Sequence, residues 1–99
     1  MPRHDVYPNP DGQGYLLNLQ SDLLSELNTR VVAPLMPAEA APKPAAWLNP
    51  TFEVEAERVV MVTQFMAAVP RAMLGAPVAS LETQHEAITR AVDMVMQGF

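Results

Sequence analysis

The chain contains no cysteine. Disulfides, thiol catalysis and zinc–thiolate sites are excluded, and a reducing cytoplasm is the expected location. Glycine is scarce, with four in 99 residues, and no glycine-rich run has the pattern of a phosphate-binding loop. Positive charge is scarce too. Six Lys and Arg face eleven Asp and Glu, giving a formal net charge of −5. Nucleic-acid binders cluster basic residues to neutralise phosphates, whereas these six are scattered from Arg3 to Arg90. Direct contact with nucleic acid or an anionic membrane is therefore disfavoured. No apolar run approaches the roughly 20 residues of a membrane span. The opening Met-Pro-Arg-His-Asp lacks the apolar stretch of a secretory signal.

What is present suits one globular domain over 1–99. Hydrophobic residues are 49% of the chain and charged residues 17%, which excludes an intrinsically disordered chain. For a small domain this balance is slightly apolar, and a partner covering part of the surface is expected.

Residues 4–7 read as a short strand, residues 8–14 (Pro-Asn-Pro-Asp-Gly-Gln-Gly) as a turn, and residues 15–20 as its return. Tyr15, Leu17 and Leu19 then share one face. Residues 21–28 predict a loop with a helical turn. Residues 30–36 predict a strand that Pro34 ends in a bulge or an edge. Residues 37–46, rich in Ala and Pro, cannot hold a helix because Pro42 and Pro44 lack amide donors. They predict an exposed excursion, from which Trp47 and Leu48 re-enter the fold. Residues 52–57 alternate as a half-buried strand with a solvated acidic face. Arg58 begins a turn into residues 59–63, an apolar strand covered on both faces. Residues 66–68 suit a turn, residues 71–74 a strand, and Gly75-Ala76-Pro77 a close. The one strong helix starts at a Thr83…Glu86 capping box and ends at Gly98. Leu81, Ile88, Val92, Val95 and Phe99 form its apolar stripe. Strands followed by one helix imply a mostly β α+β domain, built as a strongly bent sheet or small barrel.

Few residues suggest chemistry. His4 and His85, the only histidines, have no carboxylate or second ligand at metal spacing, so a packing or solvated role is expected. Ser21-Asp22 has no histidine near it in sequence and reads as a turn. Glu53, Glu55 and Glu57 read as a solvated strand face rather than an acid–base pair. No catalytic, cofactor or metal site is expected. The methionines say more. Met94 and Met96 widen the helix's apolar arc to about 200°, twice what one core requires. Adaptable methionine on such a flank points to an interface.

The ordered set Val6-Tyr7, the 15–19 run, Gln20-Ser21-Asp22-Leu23-Leu24, Thr29-Arg30-Val31-Val32, Pro34-Leu35, Met61-Val62-Thr63, Met66-Ala67-Ala68-Val69-Pro70, Gly75, Leu81 and a helix ending at Gly98 resembles the CcdB family of toxin–antitoxin modules. The resemblance implies an SH3-like small barrel of antiparallel strands with one C-terminal helix. It also implies a homodimer with both C-termini near its two-fold axis. Members of that family poison DNA gyrase by trapping its cleaved-DNA state, and a CcdA antitoxin neutralises them. By position, the resemblance assigns contact with the gyrase A subunit to Leu23, Leu24, Asp93, Met96, Gln97, Gly98 and Phe99. Met94 and Gly98 are expected at the dimer interface. Two positions depart from the family pattern: Gln97 stands where it has Trp, and Asp93 where it has Asn. Two other readings compete. An RNA-cleaving toxin of the MazF type shares the fold and would draw on Thr29 and Arg30. A non-toxic homologue would bind only the antitoxin.

Overall fold

The computed structural model describes residues 2–98. In chain order the strands are β1 (Asp5–Pro8), β2 (Tyr15–Asn18), β3 (Thr29–Pro37), β4 (Thr51–Val54), β5 (Glu57–Met61), β6 (Ala67–Pro70) and β7 (Ala79–Ser80). One α-helix, α1 (His85–Gln97), follows them. All pairings are antiparallel. The strand order is β4-β5-β3-β2-β1-β7, with β6 paired to β3. The sheet bends into a nearly closed barrel with the helix packed on it, as expected from the sequence. No helix among the described residues is long and apolar enough to cross a membrane.

β3 is the spine. One edge pairs with β2 over 32–35. The other pairs with β6 over 29–32 and then with β5 over 35–37. Pro34 does not end the strand, contrary to the sequence reading. Alternate residues send both backbone groups to the same edge. The Pro34 carbonyl accepts from the Val62 amide at 2.9 Å, so its missing donor faces the gap where β6 gives way to β5. A proline is tolerated there because no ladder bond is lost.

Successive residues of β1–β3 feed two clusters on opposite faces. Val6, Leu17, Ala33 and Leu35 join Phe52, Val54, Val59, Met61, Ile88 and Ala91 beneath the helix. Tyr7, Leu16 and Val32 join Leu74 on the other side. Tyr15, Leu17 and Leu19 share the main core, as expected.

Several local readings are corrected. The 52–57 alternation runs through a two-residue hairpin turn at Glu55 and Ala56, both at positive φ (50° and 65°). Arg58 lies inside β5, not in a turn. Neither Glu55 nor Ala56 is a favoured residue for that turn geometry, so alternation masks it. Residues 67–70 are a strand and Arg71–Met73 a single 3-10 turn, the reverse of the expectation. The Thr83…Glu86 capping box does not form. A 3-10 turn occupies Glu82–Gln84, and α1 begins at His85 without a side-chain cap. Ile88 and Ala91 are the helix's buried residues, whereas Val95 is exposed. The excursion at 38–46 is exposed, apart from the partly covered Ala41. Trp47 does not return to the core: it stays exposed at φ 68°, with Arg90 stacked 4.3 Å over its ring. Asn49 makes the return instead, donating to the carbonyl of Met61 and the side chain of Gln64 and accepting from the Ala45 amide.

Gly14 closes the first hairpin at φ 85°. A Cβ there would stand 2.3 Å from the Leu35 carbonyl oxygen, a backbone atom that cannot step aside. Gly14→Ala is expected to lower stability by at least about 2 kcal/mol in urea unfolding. Gly12→Ala, whose Cβ meets nothing within 4 Å, is expected to change it by less than about 0.5 kcal/mol.

Candidate partner-binding site

The loop at 21–28 is built to hold an apolar side chain in water. Ser21 Oγ accepts from the Leu23 amide at 3.2 Å and starts a 3-10 turn over Asp22–Leu24. Gln20 fixes the loop to β3: its Nε2 donates to the Leu24 carbonyl at 3.0 Å, and its Oε1 accepts from the Val31 amide at 3.1 Å. Arg30 lies beneath, 2% exposed. Its guanidinium donates to the carbonyls of Leu27 and Thr29 at 2.8 Å each and of Ser25 at 2.6 Å. Arg71 adds a longer bond to Ser25 at 3.4 Å. The Arg3 amide donates to Asp22 Oδ1 at 2.7 Å. Above this scaffold Leu23 is 94% exposed, with Leu24 and Leu27 about half exposed. The fold gives Leu23 no packing in return for that exposure.

The second group of expected contact residues lies at the helix end. Gly98 has φ 81°, and its amide donates to the Met94 carbonyl at 3.0 Å, which is the left-handed cap expected of it. Met96 is 68% exposed and Gln97 is exposed, while Asp93 and Met94 are half-buried. Asp93 lines a shallow groove with His85, Glu86, Thr89 and Arg90. Phe99 lies outside the described residues, and with it the expected end of the helix stripe.

The two groups do not converge within one chain. Asp22, beside Leu23, lines a groove with Arg3, His4, Glu82, His85 and Thr89, against the first turns of α1. Gln97 is eight residues further on, about 12 Å along the helix axis.

That groove also holds both histidines. Strand pairing and the helix start bring both of them to Asp22 and Glu82, which no sequence spacing foretold. His85 is exposed. His4 is buried at φ 75°, pinned by the bonds His4 N–H to Asn18 O and Leu81 N–H to His4 O. Its Nε2 has no partner. Burial, then the charges of Arg3 and His85, lower its pKa against the opposing pull of Glu82 and Asp22. A buried imidazole held this way serves packing, the role expected of it from the sequence. No group of three or more metal-ligating side chains occurs among the described residues. Sequence reasoning also missed Arg30's structural role. Its place between the outward Val31 and the outward Thr29 was the available signal that it points inward.

The seven-stranded, nearly closed antiparallel barrel with one C-terminal helix places the chain among small α+β barrel proteins. The family model described as "CcdB protein" matches residues 3–98, and the chain belongs to the CcdB family, toxins of toxin–antitoxin modules. Solved structures share the fold. "Mycobacterium tuberculosis toxin MazF-mt6" aligns at TM-score 0.72 and 15% identity, covering 93% of each chain. "Endoribonuclease in complex with its cognate antitoxin from Mycobacterial species" aligns at TM-score 0.74 and 12% identity, covering 97% of this chain and 94% of that one. No curated protein matches the sequence.

His4 yields a pH test. A base whose pKa is lowered by folding binds fewer protons folded than unfolded, so stability falls as pH drops through the unfolded value of about 6.5. Asn tolerates the left-handed backbone and does not titrate. His4→Asn is expected to melt like the parent at pH 8 and to lose less stability than the parent on going to pH 5.5. Parallel losses in the two proteins would remove His4 from the account.

Proposed function

We propose that this toxin acts on DNA gyrase, binding its A subunit and trapping the cleaved-DNA complex, without catalysis of its own. It works in the cytoplasm as a homodimer, with Met94 and Gly98 near the two-fold axis, and a CcdA-like antitoxin neutralises it. Family membership supports the reading, and Leu23 is the observation that carries it. An apolar side chain almost wholly in water, on a backbone held by Gln20, Arg30 and Arg71, is what a binding anchor requires. Leu24 flanks it, and Asp93, Met96, Gln97, Gly98 and Phe99 supply the second contact from the helix end.

The RNA-cleaving reading draws on the fold shared with endoribonucleases. Its designated cation, Arg30, is buried with its guanidinium bonded to three carbonyls. That arginine is not available to a phosphate. The non-toxic reading draws on Gln97, which offers little stacking area where the family pattern has Trp.

One assay separates all three: linear DNA released by detergent and protease after incubation with gyrase and supercoiled DNA, with labelled RNA in parallel. Leu23→Asp is expected to reduce the linear product at least about tenfold, since anchors contribute roughly 2 kcal/mol or more. Gln97→Trp should raise it, by up to about thirtyfold in affinity on the same scale. Deleting residues 98–99 should abolish it in a folded protein. If that truncated chain traps gyrase as well as the parent, the helix end is only a cap. RNA cleavage without linear DNA favours the endoribonuclease reading, and neither product favours the antitoxin-only homologue.

The antitoxin is expected to be a disordered segment that folds on the toxin, with the 37–46 excursion at the edge of its site. Deleting residues 42–44 should weaken that complex by calorimetry. Unchanged affinity excludes the excursion.

A further inference from the structure

The groove lined by Asp22, the chain neighbour of Leu23, holds more acceptors than its own donors satisfy. Separate parts of the chain meet there: Arg3 and His4 ahead of β1, Asp22 from the 21–28 loop, Glu82 from the 3-10 turn, and His85 and Thr89 from α1. Asp22 Oδ1 accepts from the Arg3 amide, which leaves its second oxygen unused. Among the described residues no ion pair joins Arg3 to either carboxylate, and Arg3 Nε is buried without a partner.

His4 supplies an independent sign of a ligand. It is 6% exposed, and its Nε2 is unbonded. Packing and backbone bonds hold the ring and leave that nitrogen unanswered. Buried polar atoms of folded proteins are normally bonded, so an orphan on the wall of an open groove points to a group that enters and completes it.

We infer that this groove receives the guanidinium of an arginine from the partner protein that Leu23 anchors. The inference rests on the gyrase reading above and adds a charged contact to its apolar one. Charge selects a cation, because two carboxylates face one arginine. Geometry selects a guanidinium. Its planar fork of five donors can serve acceptors on several sides at once, whereas an ammonium is a compact point charge. Size selects a side chain: the groove holds about 230 Å³, below the roughly 300–1,000 Å³ of pockets for whole small molecules. Asp22, Glu82 and Thr89 are exposed, so the rim is open to a protein surface. The occupant's source follows from its task. A protein that holds DNA neutralises phosphates with Lys and Arg, and a chain of net charge −5 is complementary to such a surface.

Two measurements on the full chain test this. Magnetic resonance titration with N-acetyl-arginine methylamide should shift the His4 and His85 ring signals saturably. The lysine analogue should bind at least about threefold more weakly, and inorganic phosphate should not bind. Asp22→Asn keeps the acceptor for the Arg3 amide and removes the charge. Combined with Glu82→Gln, it should weaken both the arginine analogue and the gyrase A subunit at least about fivefold, the worth of two exposed charge pairs. Circular dichroism should be unchanged, and the difference in gyrase affinity should shrink at high salt. No saturable arginine binding, phosphate bound in its place, or a double variant that binds either ligand like the parent overturns the groove assignment. Each of these leaves the gyrase reading to its own cleavage assay. A parent that binds no gyrase overturns both. If the double variant fails to fold, Glu82→Gln alone decides.

Discussion

The architecture depends on β3 serving three neighbours at once. A nine-residue strand with partners on both edges has to place two prolines without losing ladder bonds. Pro34 faces the gap between β6 and β5, and Pro37 lies beyond the last residue of β3 paired with β2. Both sit where no donor is wanted. This division lets one edge of β3 carry β6 at its start and β5 at its end, and so lets the sheet bend. Gly14 depends on the same strand, since its missing side chain is what lets the first hairpin lie against the Leu35 carbonyl.

Arg30 extends that dependence to the loop of the proposed contact. A buried guanidinium is unfavourable unless its donors are satisfied. Here they meet two carbonyls of a loop that has little packing to hold it, Ser25 and Leu27, and that of Thr29 at the start of β3. The arginine is ordered by the loop and the loop by the arginine. An exposed Leu23 on a loose loop would lose side-chain and backbone freedom on binding, which subtracts from affinity. Holding it in place beforehand removes part of that penalty.

The sequence was legible where one period ran within one element. The first hairpin, the exposed excursion, the C-terminal helix and its glycine cap all followed from local patterns. It misled where a period crossed a boundary. Glu53, Glu55 and Glu57 alternate across a turn because Glu55 and Ala56 adopt positive φ without glycine. Residues 66–68 look like a turn because the partner of the 67–70 strand, the start of β3, is more than 30 residues away. Thr83 and Glu86 match a cap by spacing alone, but the preceding Glu82–Gln84 turn already sets the helix entry. The loop of the candidate site could be placed by resemblance. The meeting of His4, Asp22, Glu82 and His85 could not, because three separate elements contribute it.

The distance between the two expected contact groups constrains the mode of action. Asp22, the chain neighbour of Leu23, lines a groove with the first turns of α1, and Gln97 lies about 12 Å further along the helix than Thr89 of that groove. A partner touching both must extend along the barrel or read them from different copies. In a dimer whose helix ends approach the axis, the two ends form one central surface and the two loops lie outside it. Interface energy concentrates at the centre, where water is excluded, and falls off at the rim. In the proposed dimer, the identity of residue 97 would therefore weigh on affinity more than its exposure in one chain suggests. Glutamine there keeps hydrogen-bonding capacity but gives up aromatic area. On the proposed gyrase contact, the leucines of the loop would then carry a larger share, and their mounting through Arg30 would be the feature on which binding turns.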